Sequence, residues 1–193
     1  HRIWRKVDSQ GQVRERFVRL NGNRLEAQRL NGRLECMARQ LQSGQLAAIE
    51  EPTMPLRRFN LQHVAAGYVV EQLGIGRVAD REAAVLMFGP RDAHRYPLEV
   101  YFDLETGVVL KSLLLNSQGE PLERFQFVSL EVVEPEESRL QVQDCEPAVA
   151  LEAAGEAAVP AWQAQWLPEG FVAAGESIVK DSLNSQLFFD GLT

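Results

Sequence analysis

The sequence predicts a mainly β fold with a few helices (α+β), built from antiparallel strands joined by tight turns. Three observations carry this reading. Apolar runs of strand length recur from Gly76 to Val133, separated by turn chemistry at Gly89-Pro90-Arg91-Asp92, Asp103-Leu104-Glu105-Thr106-Gly107 and Asn116-Ser117-Gln118-Gly119. Earlier in the chain, turn signals recur at Gly11, Gly22 and Gly32, the short, regular spacing of a meander. Between them the apolar residues alternate with a period closer to two than to 3.6.

In chain order, Ile3 to Val7 reads as a strand, Asp8-Ser9-Gln10-Gly11-Gln12 as a turn, and Val13 to Leu20 as a second strand. In that second strand Val13, Glu15 and Phe17 fall on one face, with Arg14, Arg16 and Val18 on the other. Leu25 to Leu30 and Arg33 to Ala38 follow as strands around the hairpin signal Asn31-Gly32. Residues 39–55 are richer in Gln, Ser, Gly and Ala, with a short helix or loop over Leu46 to Glu51 that ends before Pro52. Leu61 to Gly67 fits a short helix, and Tyr68 to Leu73 a strand.

Gly74-Ile75-Gly76-Arg77-Val78-Ala79 spells a loose G-x-G-x-x-A. A dinucleotide site needs a helix after that motif, whereas here the strand Ala83 to Phe88 follows. Pro97 to Leu104 alternates cleanly, with Leu98, Val100, Phe102 and Leu104 opposed to Glu99, Tyr101 and Asp103. Val108 to Leu115 is apolar on both faces apart from Lys111 and Ser112, so both faces need a cover. Leu122 to Val133 is expected as one long strand, suited to a curled sheet or half-barrel, with Phe125 and Phe127 on one face.

Residues 131–156 hold eight acidic residues and one arginine and read as a connection. The run Ala161 to Phe171, with Trp162, Trp166 and Phe171, then starts a new packed module. The expected organisation is a domain over 1–134, an acidic linker over 135–160, and over 161–193 the beginning of a small β-rich domain too short to bury a core alone. The opening His1-Arg2-Ile3-Trp4 resembles the middle of a strand, so either the chain begins inside a larger protein or its upstream part is cut away or disordered.

The net charge of -7 is unevenly spread. Residues 1–58 carry 12 Lys+Arg against 6 Asp+Glu, and residues 59–193 carry 8 against 21. The basic part suits an acidic partner, a headgroup or phosphate, or else holds scattered solvated arginines. The acidic remainder argues against nucleic acid. No apolar run reaches the roughly 18 residues of a membrane-spanning helix. Cys36 and Cys145 lie 109 positions apart. They leave two readings: a disulfide, if the compartment is oxidising, or two buried thiols. Neither has further ligands near it for zinc. His1, His63 and His94 are isolated and match no catalytic motif, so no enzyme, metal or cofactor is expected.

Several motifs carry a resemblance to a family. They are Arg77-Val78-Ala79-Asp80-Arg81, Gly89-Pro90-Arg91-Asp92, Arg95-Tyr96, Asp103 to Gly107, Leu110-Lys111 and Gly119 to Phe127, with the earlier Asp8-Ser9-Gln10-Gly11, Arg14-Glu15-Arg16, Leu30-Asn31-Gly32 and Glu35-Cys36. Together with Trp166-Leu167-Pro168-Glu169-Gly170-Phe171 they resemble the MucB/RseB family of periplasmic regulators of envelope-stress sigma factors. The chain departs from the family after the cysteine, where it reads Met37-Ala38-Arg39-Gln40, and at Asp80-Arg81 and Arg95-Tyr96-Pro97.

The resemblance implies an unclosed antiparallel β-barrel like that of periplasmic lipoprotein carriers, followed by the smaller β-rich domain. It implies a periplasmic protein that binds the periplasmic segment of a membrane anti-sigma factor of the MucA/RseA type. That binding would shield the segment from regulated proteolysis and answer to lipid-bearing stress signals. A periplasmic carrier of lipid or lipoprotein is the alternative. Acyl chains of lipoprotein or lipopolysaccharide then fall to Val100, Phe102, Leu113, Leu115, Phe125 and Phe127, or these residues form core under a helix. The anti-sigma segment falls to Trp162, Trp166 and Phe171, and a homo-oligomer stays open.

Overall fold

A computed structural model describes residues 1–22, 25–38, 61–147, 164–173, 178–180, 183–186 and 188–192. The chain divides into two compact units, His1–Thr53 with Glu131–Ala154, and Met54–Leu130 with Gly155–Thr193. The expected helix over 46–51 lies outside the described residues.

The first unit is an antiparallel five-stranded sheet of β1 (Arg2–Val7), β2 (Val13–Val18), β3 (Glu26–Leu30), β4 (Arg33–Ala38) and β10 (Cys145–Pro147), in that order. Its turns are written in the sequence. Asp8 Oδ1 accepts from the backbone N–H of Gln10 at 2.8 Å and of Gln12 at 2.9 Å, folding the β1–β2 turn. Asn31 and Gly32 both take positive φ, 50° and 85°, the two-residue hairpin that matches strand twist. Alternation sorts the faces as expected. Phe17, Ala27 and Met37 lie in register on one face and pack with Leu25 into a small core, against which Ile3 rests. The acidic stretch around residue 135 carries helix α2 (Glu137–Leu140), whose Leu140 is buried, and then β10.

The second unit holds helix α1 (Leu61–Gly67) and the antiparallel sheet β5 (Tyr68–Val78), β6 (Arg81–Pro90), β7 (Leu98–Asp103), β8 (Val109–Leu115), β9 (Pro121–Gln126), paired in sequence order. Neither five-stranded sheet closes on itself. Two small ladders follow: β11 (Val172–Ala173) with β14 (Phe188–Phe189), and β12 (Ile178–Lys180) with β13 (Leu183–Ser185). The fold is thus mainly β with two short helices among the described residues.

Two strands differ from the sequence reading. Strand β5 runs five residues past Leu73, because a tight turn forms at Ala79-Asp80, where both residues take positive φ. Strand β9 stops at Gln126 rather than near Val133. Its partner β8 begins at Val109, so after Phe127 donates its backbone N–H to Leu110 O at 2.8 Å there is no strand left to pair with. Val128 is then 91% exposed.

Candidate binding surfaces

Strand β8 is apolar on both faces, and the unit covers both. On one side Val109 joins Val64 of α1, Tyr68, Phe88, Leu98, Val100 and Leu192 in a buried cluster, with Leu86, Phe102 and Leu114 against it. On the other side Leu110 packs with Val78 and Ala83, against which Tyr101, Phe127 and Leu130 rest. Alternation along the strand sends Val109 and Leu110 to opposite cores, and the β7–β8 register shift leaves Leu110 without a partner on β7.

This arrangement locates the six apolar residues singled out as acyl contacts. Val100 is fully buried in the first cluster and Phe102 packs on it. Phe125 lies in register with Ser112, and through it with Val100. Leu113 pairs with Glu99 and Arg124, which puts it on the opposite face. Leu115 pairs with Pro121 past a second irregularity. Phe127 belongs to the second core and meets the Phe125 ring edge-on at 5.1 Å. The structure therefore brings Val100, Phe102 and Phe125 to one face and divides the rest.

The aromatic residues ahead of β11 are held differently. Trp162 lies outside the described residues. Trp166 is 66% exposed and meets the His94 ring at 5.1 Å. Phe171 lies under the Arg95 guanidinium, 4.6 Å from the ring centroid. Arg95 is the centre of a buried polar network that sequence reasoning missed. Its Nε donates to Asp190 Oδ2 at 3.1 Å, and its two other nitrogens donate to Asp92 Oδ2 and Glu169 O. Tyr68 Oη donates to the same Asp190 oxygen at 2.7 Å. A buried charge is retained only when so satisfied.

A second anchored ion pair closes the β7–β8 turn. Arg81 donates from Nε and Nη2 to the two oxygens of Asp103, at 2.7 and 2.8 Å, and Thr106 caps the same carboxylate through its N–H and Oγ1. The Arg81 guanidinium holds the Asp103 carboxyl well below the usual carboxylate range, against the opposing effect of burial. On the same sheet, burial and then hydrogen bonding with Glu99 push the Tyr101 phenol up to about 12.

In the first unit, the basic excess forms a stripe on the sheet face opposite Phe17. Trp4 pairs with Arg16, and Lys6 with Arg14. The Trp4 ring lies between the guanidinium groups of Arg16 (5.1 Å) and Arg2 (5.8 Å). The stripe is partly neutralised by the acidic stretch. Lys6 Nζ sits 2.8 Å from Glu134 and 2.7 Å from Glu137, Arg14 lies 3.6 Å from Glu137, and Arg16 donates to Glu26 at 2.7 Å and to Arg139 O at 3.3 Å. Donating hydrogen bonds to Glu134 and Glu137 raises the Lys6 ammonium, and Lys6 lowers Glu137. Cys36 and Cys145 are joined in a disulfide with a Cα–Cα distance of 5.4 Å, tying β10 to β4 at the edge of the sheet away from β1.

Among the described residues no group of three or more His, Cys, Asp or Glu is placed to hold a metal. No described helix is long and apolar enough to cross a membrane, which says nothing of a β-barrel. What the geometry offers is surface: exposed aromatic and apolar side chains on sheets pinned by buried ion pairs.

Known proteins share this architecture. The model of the MucB/RseB N-terminal domain matches residues 1–149. The sigma factor AlgU regulatory protein MucB of Pseudomonas aeruginosa is 44% identical over 173 residues, which is 89% of this chain and 54% of that protein. The sigma-E factor regulatory protein RseB of Haemophilus influenzae is 32% identical over 145 residues, 70% of this chain and 45% of that protein. The chain thus spans about half the length of these curated relatives. A crystal structure of MucB superposes with a TM-score of 0.73 at 38% identity, covering 98% of this chain and 64% of that one. A crystal structure of MucB in complex with MucA(peri) gives 0.77 at 36% identity with the same coverage.

Proposed function

Since the chain belongs to the MucB/RseB family, we propose that it acts as a periplasmic regulator that binds the periplasmic part of a membrane anti-sigma factor and protects it from regulated proteolysis. The observation that carries this reading is the likeness to MucB solved with MucA(peri), which extends over 98% of this chain. The disulfide supports the compartment, because such bonds persist outside the reducing cytosol. A regulatory role accords with the names of the relatives.

The partner-binding role extends to the exposed Trp166 and, with it, Trp162 and Phe171. Sensing of lipid-bearing signals is the second part of the proposal. Of the six apolar residues, Phe102, Leu113, Leu115, Phe125 and Phe127 are only partly buried, so an acyl chain reaches them more readily than the enclosed Val100. Switching requires the lipid to bind the released state more tightly than the peptide-bound state.

The test is binding of the chain to the periplasmic segment of its anti-sigma factor, with proteolysis of that segment followed in parallel. Saturable binding with slowed cleavage is expected. A chain that retained lipid but ignored the segment would overturn the regulator in favour of a carrier.

A further inference from the structure

We propose that residues 134–139 form a hinged strap, held closed over the basic stripe by ion pairs to Lys6 and Arg14, which lifts as ionic strength rises and pivots on Leu140 and the disulfide. The device lies wholly within the first unit. It goes beyond the proposed regulatory role and does not depend on it.

The chain here runs from one side of the sheet to the other. Glu134 and Glu137 meet Lys6 of β1 at 2.8 and 2.7 Å, Glu137 also lies 3.6 Å from Arg14 of β2, and Arg139 O accepts from Arg16 of β2 at 3.3 Å. Further along, Cys145 is bonded to Cys36 of β4, at the opposite edge. Different forces hold the two ends. The far end is fixed by burial and a covalent bond: Leu140 and Val142 are 3% and 7% exposed, and β10 pairs with β4. The near end is held by charges in water. The side chains of Glu134, Glu137 and Arg14 are 77%, 56% and 53% exposed. Exposed ion pairs contribute little singly, and salt screens them.

Helix α2 cannot hold the near end down by itself. It is four residues long, and its N-cap Glu136 makes no side-chain capping bond. A turn that short is unstable without tertiary contacts. The Arg139 N–H donates to Glu136 O at 2.9 Å, a bond that lasts only while the turn does. The segment is thus a unit that opens at lower free energy than the sheet beneath it. Closed, two carboxylates offset the charges of Lys6 and Arg14. Open, both cations face solvent beside Trp4 and Arg16, while Arg16 keeps Glu26 at 2.7 Å. Lifting the strap therefore raises the positive charge that the stripe presents and leaves the sheet intact.

The experiment is amide hydrogen exchange of the oxidised chain, followed by nuclear magnetic resonance from about 0.01 M to about 1 M sodium chloride, over which the screening length falls from about 30 Å to about 3 Å. The Arg139 amide is expected to exchange about tenfold faster at high salt, the combined loss of a few exposed ion pairs, while amides of β2 and β10 change far less. Lys6→Glu is expected to show the fast rate already at low salt. Reversing both sides, Lys6→Glu/Arg14→Glu with Glu134→Lys/Glu137→Lys, is expected to restore slow exchange and its salt dependence. An Arg139 amide indifferent to salt in the wild type overturns the proposal. So does one that exchanges only as fast as β2, because the segment then opens only when the whole sheet unfolds. Equal acceleration in β10 also overturns it, by moving the hinge away from the disulfide.

Discussion

Arg95 and Asp190 stand 95 residues apart in sequence and meet at 3.1 Å with 1% and 0% of their side chains exposed. The pair ties the segment after residue 164 to the sheet of its own unit. Tyr68 and Asp92 complete the network, and Gly67 makes room for it. A Cβ at residue 67 would stand 2.6 Å from Arg95 Nε.

Removing one member of a buried pair leaves the other charge uncompensated, which costs about 3–5 kcal/mol. Asp190→Ala is therefore expected to lower the unfolding free energy by about 3 kcal/mol, near the low end because Asp92 still accepts from Arg95. Gly67→Ala is expected to destabilise as well, by displacing the guanidinium. Urea titration of both variants checks this, and a loss under 1 kcal/mol in each would show the network to be dispensable.

Asp103 makes stability pH-dependent in a known direction. Its folded-state pKa lies below the unfolded value, chiefly through Arg81. Such a group stabilises fully above the unfolded value of about 4, and the contribution fades as pH falls through the folded value. Asp103→Asn is thus expected to cost about 2 kcal/mol at pH 7 and progressively less in strong acid. Parallel wild-type and variant stability curves down to acid pH would refute the assignment.

Tyr101 acts at the other end of the scale. Its phenol is held up to about 12 by burial and Glu99. A raised folded-state pKa gives stability that is complete below the unfolded value of about 10 and is lost as pH rises toward the folded one. Subtracting the ultraviolet titration of Tyr101→Phe from that of wild type is expected to leave a tyrosinate step near pH 12. A step at the ordinary position would show that the ring is wetter than its neighbours indicate.

The legibility of these features in the sequence follows distance along the chain. Strands β1 to β4 and β6 to β8 were readable within about two residues because alternation and Asn, Asp and Gly turns are local signals. The Ala79-Asp80 turn places Ala79, not a usual turn residue, at positive φ, so the length of β5 stayed hidden. The length of β9 depends on where its neighbour β8 begins, which β9's own sequence does not encode. The charge asymmetry was visible, but the contact of Lys6 with Glu134 and Glu137 needs residues more than 120 positions apart to meet. The Arg95 network is non-local for the same reason. The apolar candidates were sorted by alternation, and the bulges that send Phe127 to another core than Val100 leave no residue signature.

The same hairpin gives a stabilising prediction. Asp80 has φ of 66° and a side chain almost wholly in solvent. Left-handed backbone is strained for most L residues and free for glycine, with Asp between. Asp80→Gly loses an exposed ion pair with Arg77, worth little, and is expected to raise stability by about 0.5 kcal/mol. Differential scanning calorimetry reads this, and a lower melting temperature would show that the Arg77 contact outweighs the strain.

The disulfide supplies the largest expected effect. Closing a loop of 109 residues restricts the unfolded chain by about 4–5 kcal/mol in the chain-entropy model. Reduction removes that restriction and also frees β10, a three-residue strand that holds only to β4. Helix α2 then keeps its place through Leu140 and the ion pairs of Lys6 and Arg14, which salt screens. The reduced chain is accordingly expected to unfold at lower urea than the oxidised chain, and to be further weakened by added salt, while the oxidised chain responds less. Cys36→Ser/Cys145→Ser should reproduce the reduced behaviour in the absence of reductant. Equal midpoints for oxidised and reduced chains would show that β10 is held by its strand pairing alone.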